Sequence, residues 1–156
     1  MSSTNQLERW AHTHIKASRG FIGVFASDKL PDPNEVEIPM AGIFNYDPAN
    51  MPGSHWVAVV IQPSSIYWFD SYGFDADQPD LLIGHQTHFR EWLSCLCQRL
   101  GLNKYEYNRV DLQSLHETTC GLWSLYFVRY GPNKGWGAFG QDRELNDQLI
   151  RQLVRL

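Results

Sequence analysis

From position 55 the chain reads HWVAVVI, apolar at nearly every position and carrying three valines. Such a run fits a strand buried on both faces. Gln62, Pro63, Ser64 and Ser65 follow as a turn, and IYWFDSY (Ile66 to Tyr72) is rich in β-formers, so the two runs predict an antiparallel hairpin. With Pro63 and Ser64 as the loop residues, Gln62 pairs with Ser65 and His55 lies opposite Tyr72. Asp70 then shares a face with His55, one diagonal away at roughly 7–8 Å between backbones.

Around this hairpin the pattern predicts helices and shorter strands. Thr4 is placed to cap a helix whose Leu7, Trp10 and Ala11 share a side, with Arg19-Gly20 as its break. FIGVFASDKLP reads as a short strand entering a loop, and AGIFNY (Ala41 to Tyr46) as another strand after a proline-rich stretch. Between His85 and Leu100, the residues Phe89, Trp92, Leu93, Leu96 and Leu100 line one helical face, with Gly101 as a stop. YEYNRVDLQ (Tyr105 to Gln113) predicts a strand. Cys120 to Tyr130 is apolar around most of its circumference, as a central buried helix is, and Gly131-Pro132 ends it. From Asp142 a last helix carries Leu145, Leu149, Leu153 and Leu156 as its apolar stripe.

The totals narrow the class. A chain of 156 residues, 43% hydrophobic with six Trp, is read as a single domain, 1–156, with a packed core. Thirteen Lys and Arg against 17 Asp and Glu give a formal charge of −4, which supplies no broad cationic field for a nucleic acid. No stretch approaches a membrane span, and the polar start MSSTNQLERW lacks a signal-peptide core, so an intracellular, soluble protein is expected. Three cysteines, Cys95, Cys97 and Cys120, with no CxxC spacing, fit neither a disulfide framework nor a zinc site.

Candidate chemistry gathers in LHETTCGLWS (Leu115 to Ser124). Thr118 or Thr119 is a natural N-cap, which puts Cys120 in the first turn of the buried helix, where free N–H groups and the positive dipole end favour a thiolate. A thiol there is expected to ionise readily. Gly121 removes bulk beside the sulfur, so a planar carbonyl can approach. Taken singly, Cys120 is an ordinary buried hydrophobe, His55 a hydrogen-bonded core residue, Asp70 a strand-end carboxylate and Gln113 a surface amide. Together they supply a thiol, a base, an acid to orient it and an amide donor, each at the end of a predicted element.

GSHWVAVVIQPSSIYWFDSYGFDAD, then Gln113, then TTCGLWS, resembles the adenovirus endopeptidase (adenain)-like cysteine proteases, in the clan that includes the SUMO-deconjugating proteases. FIGVFASDKLP extends the likeness to most of Phe21 to Val128. The resemblance implies an α+β, papain-like fold: a central mixed sheet flanked by helices, with the nucleophile at the start of a buried helix. It makes Cys120 the nucleophile, His55 its general base, Asp70 (Glu in adenain) the group that holds the imidazole, and Gln113 a donor of the oxyanion hole. Trp56 and Gly121 are placed on the substrate side.

By the same resemblance the substrates are viral precursor or structural proteins cut at glycine-containing sites, in a host cell or virion, by a monomer that needs no cofactor for its chemistry. Adenain's activators are a disulfide-linked peptide and DNA. This chain has no cysteine at the matching position, and its balance is acidic. Alternative readings are an isopeptidase of a ubiquitin-like modifier, an effector-type acetyltransferase using acetyl-CoA, and a capsid-associated binding module without catalysis.

Overall fold

Alternation along the central hairpin divides the apolar side chains into two cores, one on each face of a five-stranded sheet. The computed structural model describes residues 2–78, 87–115 and 117–156. In chain order, helix α1 (Thr4–His14) and a single 3-10 turn (Ala17–Arg19) precede strands β1 (Phe21–Phe25), β2 (Met40–Asn45), β3 (Trp56–Gln62) and β4 (Ser65–Phe69). Helix α2 (Phe89–Leu100), strand β5 (Glu106–Tyr107) and helices α3 (Cys120–Tyr130) and α4 (Arg143–Leu153) follow. The sheet order is β1-β2-β3-β4-β5. β2, β3 and β4 run antiparallel to one another, while β1 and β5 join the edges in parallel. This is the mixed sheet and α+β class expected from the sequence.

β3 is buried at every position except Gln62, because both of its faces are covered. Ala58 and Val60 pack with Leu7 and Trp10 of α1 and with Trp123 and Phe127 of α3. Val57, Val59 and Ile61 face the other way, against Phe89, Trp92, Leu93 and Leu96 of α2. The hairpin has the expected two-residue loop, Gln62 pairing with Ser65 and Ala58 with Phe69. At the opposite edge Gly20 has φ 69°, and a Cβ there would lie 2.0 Å from the Pro39 carbonyl oxygen. That close approach lets the Gly20 carbonyl accept the Ala41 N–H at 3.0 Å, which starts the β1–β2 pairing.

Several boundaries differ from the sequence reading. The cap of α1 is Ser3, not Thr4: its hydroxyl accepts the Gln6 N–H and Gln6 returns a bond to the Ser3 N–H, a reciprocal pair that Thr4 cannot form with Leu7. The helix expected from His85 begins at Phe89, and His85 itself lies outside the described residues; Gly101, left-handed at φ 69°, stops it as expected. β5 is two residues, not the predicted Tyr105 to Gln113. Beyond Tyr107 the Asn108 side chain takes over the pairing, accepting from the Asp70 N–H at 3.2 Å and donating to the Asp70 carbonyl at 2.7 Å. Arg109 then turns left-handed at φ 55° and the ladder ends.

The last helix is rotated from its predicted face. Leu145, Leu153 and Leu156 are exposed, and the buried positions are Asn146, Asp147, Ile150 and Val154. Shortening Ile150 to Ala should therefore lower the unfolding free energy by about 2–4 kcal/mol. Leu145→Gln and Leu153→Gln should each change it by no more than about 0.5 kcal/mol in denaturant titrations. The reverse ranking would restore the leucine face.

Candidate active site

His55 stands one residue before β3 and Asp70 one residue after β4, so the hairpin brings the two together at its open end. The imidazole Nε2 lies 2.8 Å from Asp70 Oδ1. Two tyrosines complete the frame. The Tyr46 N–H donates to the His55 carbonyl at 3.0 Å, one rung beyond the Asn45–Trp56 pair, and its hydroxyl donates to Asp70 Oδ2. The Tyr72 N–H donates to Asp70 Oδ1 at 2.8 Å, and its ring stacks on the imidazole at 4.6 Å and 15°. Tyr46 meets the imidazole edge-on from 4.8 Å. The ring is thereby fixed in tilt as well as position.

The turn after Asp70 also holds Gln113. The Gly73 N–H donates to the Asp70 carbonyl at 2.8 Å, and at Gly73, φ 76°, a Cβ would come within 2.8 Å of the Val110 backbone. This glycine lets the turn press against the incoming chain. The Ser71 carbonyl accepts from the Leu112 and Gln113 N–H groups at 2.8 and 3.2 Å. Its hydroxyl donates to Gln113 Oε1 at 2.5 Å, which leaves Nε2 as the donor end of the amide. Nε2 donates to the Glu117 carbonyl at 2.7 Å. Gln113 is fully buried, not the surface amide that its type alone suggests.

Cys120 is the first residue of α3, as the sequence predicts, but neither threonine caps the helix with its side chain. The Thr119 hydroxyl donates instead to Asp147 Oδ1 at 2.7 Å. The sulfur accepts from the Trp56 N–H at 3.5 Å, which places it beside the residue that follows His55. The four candidates Cys120, His55, Asp70 and Gln113 thus converge at one end of the sheet. Tyr46, Ser71 and Tyr72 join them and were missed by the sequence reading. Their signal lay in the register: the hairpin set Tyr72 opposite His55, and the strand ending at Tyr46 was left without a partner.

The thiol does not ionise readily in this state. Cys120 is 3% exposed, and burial raises its pKa to about 11. The N–H groups of Trp56, Gly121 and Cys120 itself pull in the opposite direction, as expected of a helix start, but do not offset the desolvation. Asp70 pushes it further up. Burial likewise lowers the His55 pKa and raises that of Asp70, where the Tyr72 N–H opposes the rise and the Asp111 charge adds to it. Their 2.8 Å contact opposes both shifts, since it favours the imidazolium and the carboxylate.

The chain's own amino-terminal stretch packs beside Gly121 at the start of α3. The Trp56 indole N–H donates to the Ser2 carbonyl at 3.0 Å. A Cβ on Gly121 would meet Leu7 at 3.0 Å, Trp56 at 3.2 Å and Ser2 at 3.3 Å. The space expected beside Gly121 for an approaching carbonyl is therefore occupied. Cys97 is buried, and Cys95 is exposed. Among the described residues no cluster of His, Cys, Asp or Glu is arranged to hold a metal ion.

No family profile matches the sequence, and no curated protein does. Among solved structures the fold is similar to that of the pS273R protease of ASFV, with a TM-score of 0.55 over 98% of this chain's length. Identity is 17%, and the chain spans 66% of that protein's length. The likeness is one of fold.

Because the sulfur is buried and neutral at rest, iodoacetamide should label Cys120 slowly at pH 7, and the rate should climb with pH toward about 11. Trp56→Ala, which removes the indole packed beside Gly121, should speed labelling at pH 7 about tenfold, the gain from one unit of thiol acidity. A rate already on its plateau at neutral pH would contradict the buried-thiol state.

Proposed function

We propose that this chain is a cysteine endopeptidase, acting on viral precursor proteins at glycine-containing sites through a thioester acyl-enzyme. The observation that carries the reading is that the Cys120 sulfur accepts from the Trp56 N–H, one residue along the chain from a His55 whose Nε2 is held by Asp70. With Nε2 so engaged, Nδ1 is the ring nitrogen left for the thiol. A neutral imidazole is the form a general base requires. Burial keeps His55 in it.

In the proposed cycle His55 Nδ1 takes the Cys120 proton as Sγ attacks the scissile carbonyl. The oxyanion accepts from the Cys120 N–H and from Gln113 Nε2, whose orientation Ser71 sets. Nε2 carries two N–H groups, one given to the Glu117 carbonyl and the other to the Tyr72 hydroxyl at 3.4 Å, and the second turns to the oxyanion. Collapse breaks the C–N bond, the departing amine takes the proton from His55, and water then hydrolyses the thioester with the same imidazole as base. Asp70 orients the ring and stabilises the imidazolium while it exists. All of these groups belong to the chain itself.

The preference for glycine next to the cut bond is carried by the family resemblance alone, the space beside Gly121 being filled by Leu7, Trp56 and Ser2 of the chain itself. Peptides with Gly-Gly-type junctions, offered beside bulky ones, test it. Cys120→Ala should abolish turnover, and Gln113→Ala should lower kcat about 10²- to 10³-fold with little change in KM. Cleavage confined to bulky sites would remove the specificity, and a wild-type protein that cleaves no peptide would remove the activity.

A further inference from the structure

We propose that Asp147 of α4 is a positioning residue for the reaction, holding the 111–119 loop so that Gln113 and Cys120 keep their relative placement. The inference rests on the reading of Gln113 as an oxyanion donor. One carboxylate bonds both limbs of the loop: Oδ2 accepts the Ser114 N–H at 3.0 Å, and Oδ1 accepts the Thr119 hydroxyl at 2.7 Å. The first limb begins one residue after Gln113 and the second ends one residue before Cys120. Asp147 is 1% exposed.

The rest of α4 reinforces this grip. Asn146 Nδ2 donates to the Leu112 carbonyl at 3.2 Å, Arg143 pairs with Asp111 at 2.9 Å, and Arg151 pairs with Glu117. Glu117 is also the residue whose carbonyl holds Gln113 Nε2. A helix that buries Asn146 and Asp147 while leaving Leu145 and Leu153 in solvent gives up apolar burial for these bonds. Burying a carboxylate is costly unless its oxygens are occupied, and here both are, one on each side of the reacting groups.

Displacement of a catalytic donor by about 1 Å costs roughly a hundredfold in rate. Asp147→Ala should accordingly lower kcat about 10- to 100-fold with KM held within about threefold. Asp147→Asn, in which the amide can still accept from Ser114 and donate to Thr119, should recover most of the loss. In a Gln113→Ala background the alanine change at Asp147 should cost less than about threefold, because the donor it positions is gone.

Equal losses in both backgrounds, or an unchanged kcat, would overturn the proposal. If the alanine variant does not fold, Thr119→Val serves in its place, with an expected loss of about tenfold that also vanishes without Gln113. A readout independent of turnover separates this inference from the proposed activity. Proton exchange at the Gln113 side-chain amide, followed by NMR, should quicken at least about tenfold in Asp147→Ala. Unchanged exchange would refute the positioning role even in a protein that cleaves nothing.

Discussion

The register between β3 and β4 is the constraint on which the site depends. A strand repeats its side-chain direction every two residues, so a slip of one position would carry Asp70 to the opposite face from His55. The two-residue loop at Pro63 and Ser64 prevents that slip, as does the double burial of β3, whose odd and even positions are each committed to a different core. Once the register is set, Asp70 and its two successors do the remaining assembly: the carboxylate takes His55, Ser71 takes Gln113, and Tyr72 covers the imidazole.

Rigidity at this junction comes with desolvation. The imidazole lies between tyrosine rings and Cys120 is buried, so water, which would stabilise charge on either, is largely excluded. The helix start and three N–H groups favour a thiolate, but burial is the larger effect. The resting arrangement is therefore correct in geometry and uncharged in chemistry.

Much of this was legible in the sequence. The hairpin, its loop and the buried α3 were readable because hydrophobic runs and turn residues report burial directly, and Cys120, His55 and Asp70 were readable because each stands where such a run starts or stops; Gln113 was carried by the family resemblance, since the strand expected to end at it stops at Tyr107. What failed depended on side chains replacing backbone. Asn108 imitates a strand partner and so hides the end of β5. Asp147 draws α4 around by its carboxylate, against the face that leucine spacing predicts. Thr119 gives its hydroxyl to Asp147 and not to its own helix. Polar contacts between distant segments carry no periodicity, and a helix start favours a thiolate only where its burial does not outweigh the effect.

The unequal surroundings of the cysteines have a consequence for oxidative chemistry. Cys95 stands on the outer surface of α2, while Cys120 is buried. A peroxide diffusing up to the molecule meets Cys95 first, and a sulfenic acid formed there leaves the hairpin end of the sheet untouched. The sulfur assigned to chemistry thus weathers an oxidising environment behind one whose loss costs nothing in the cleft.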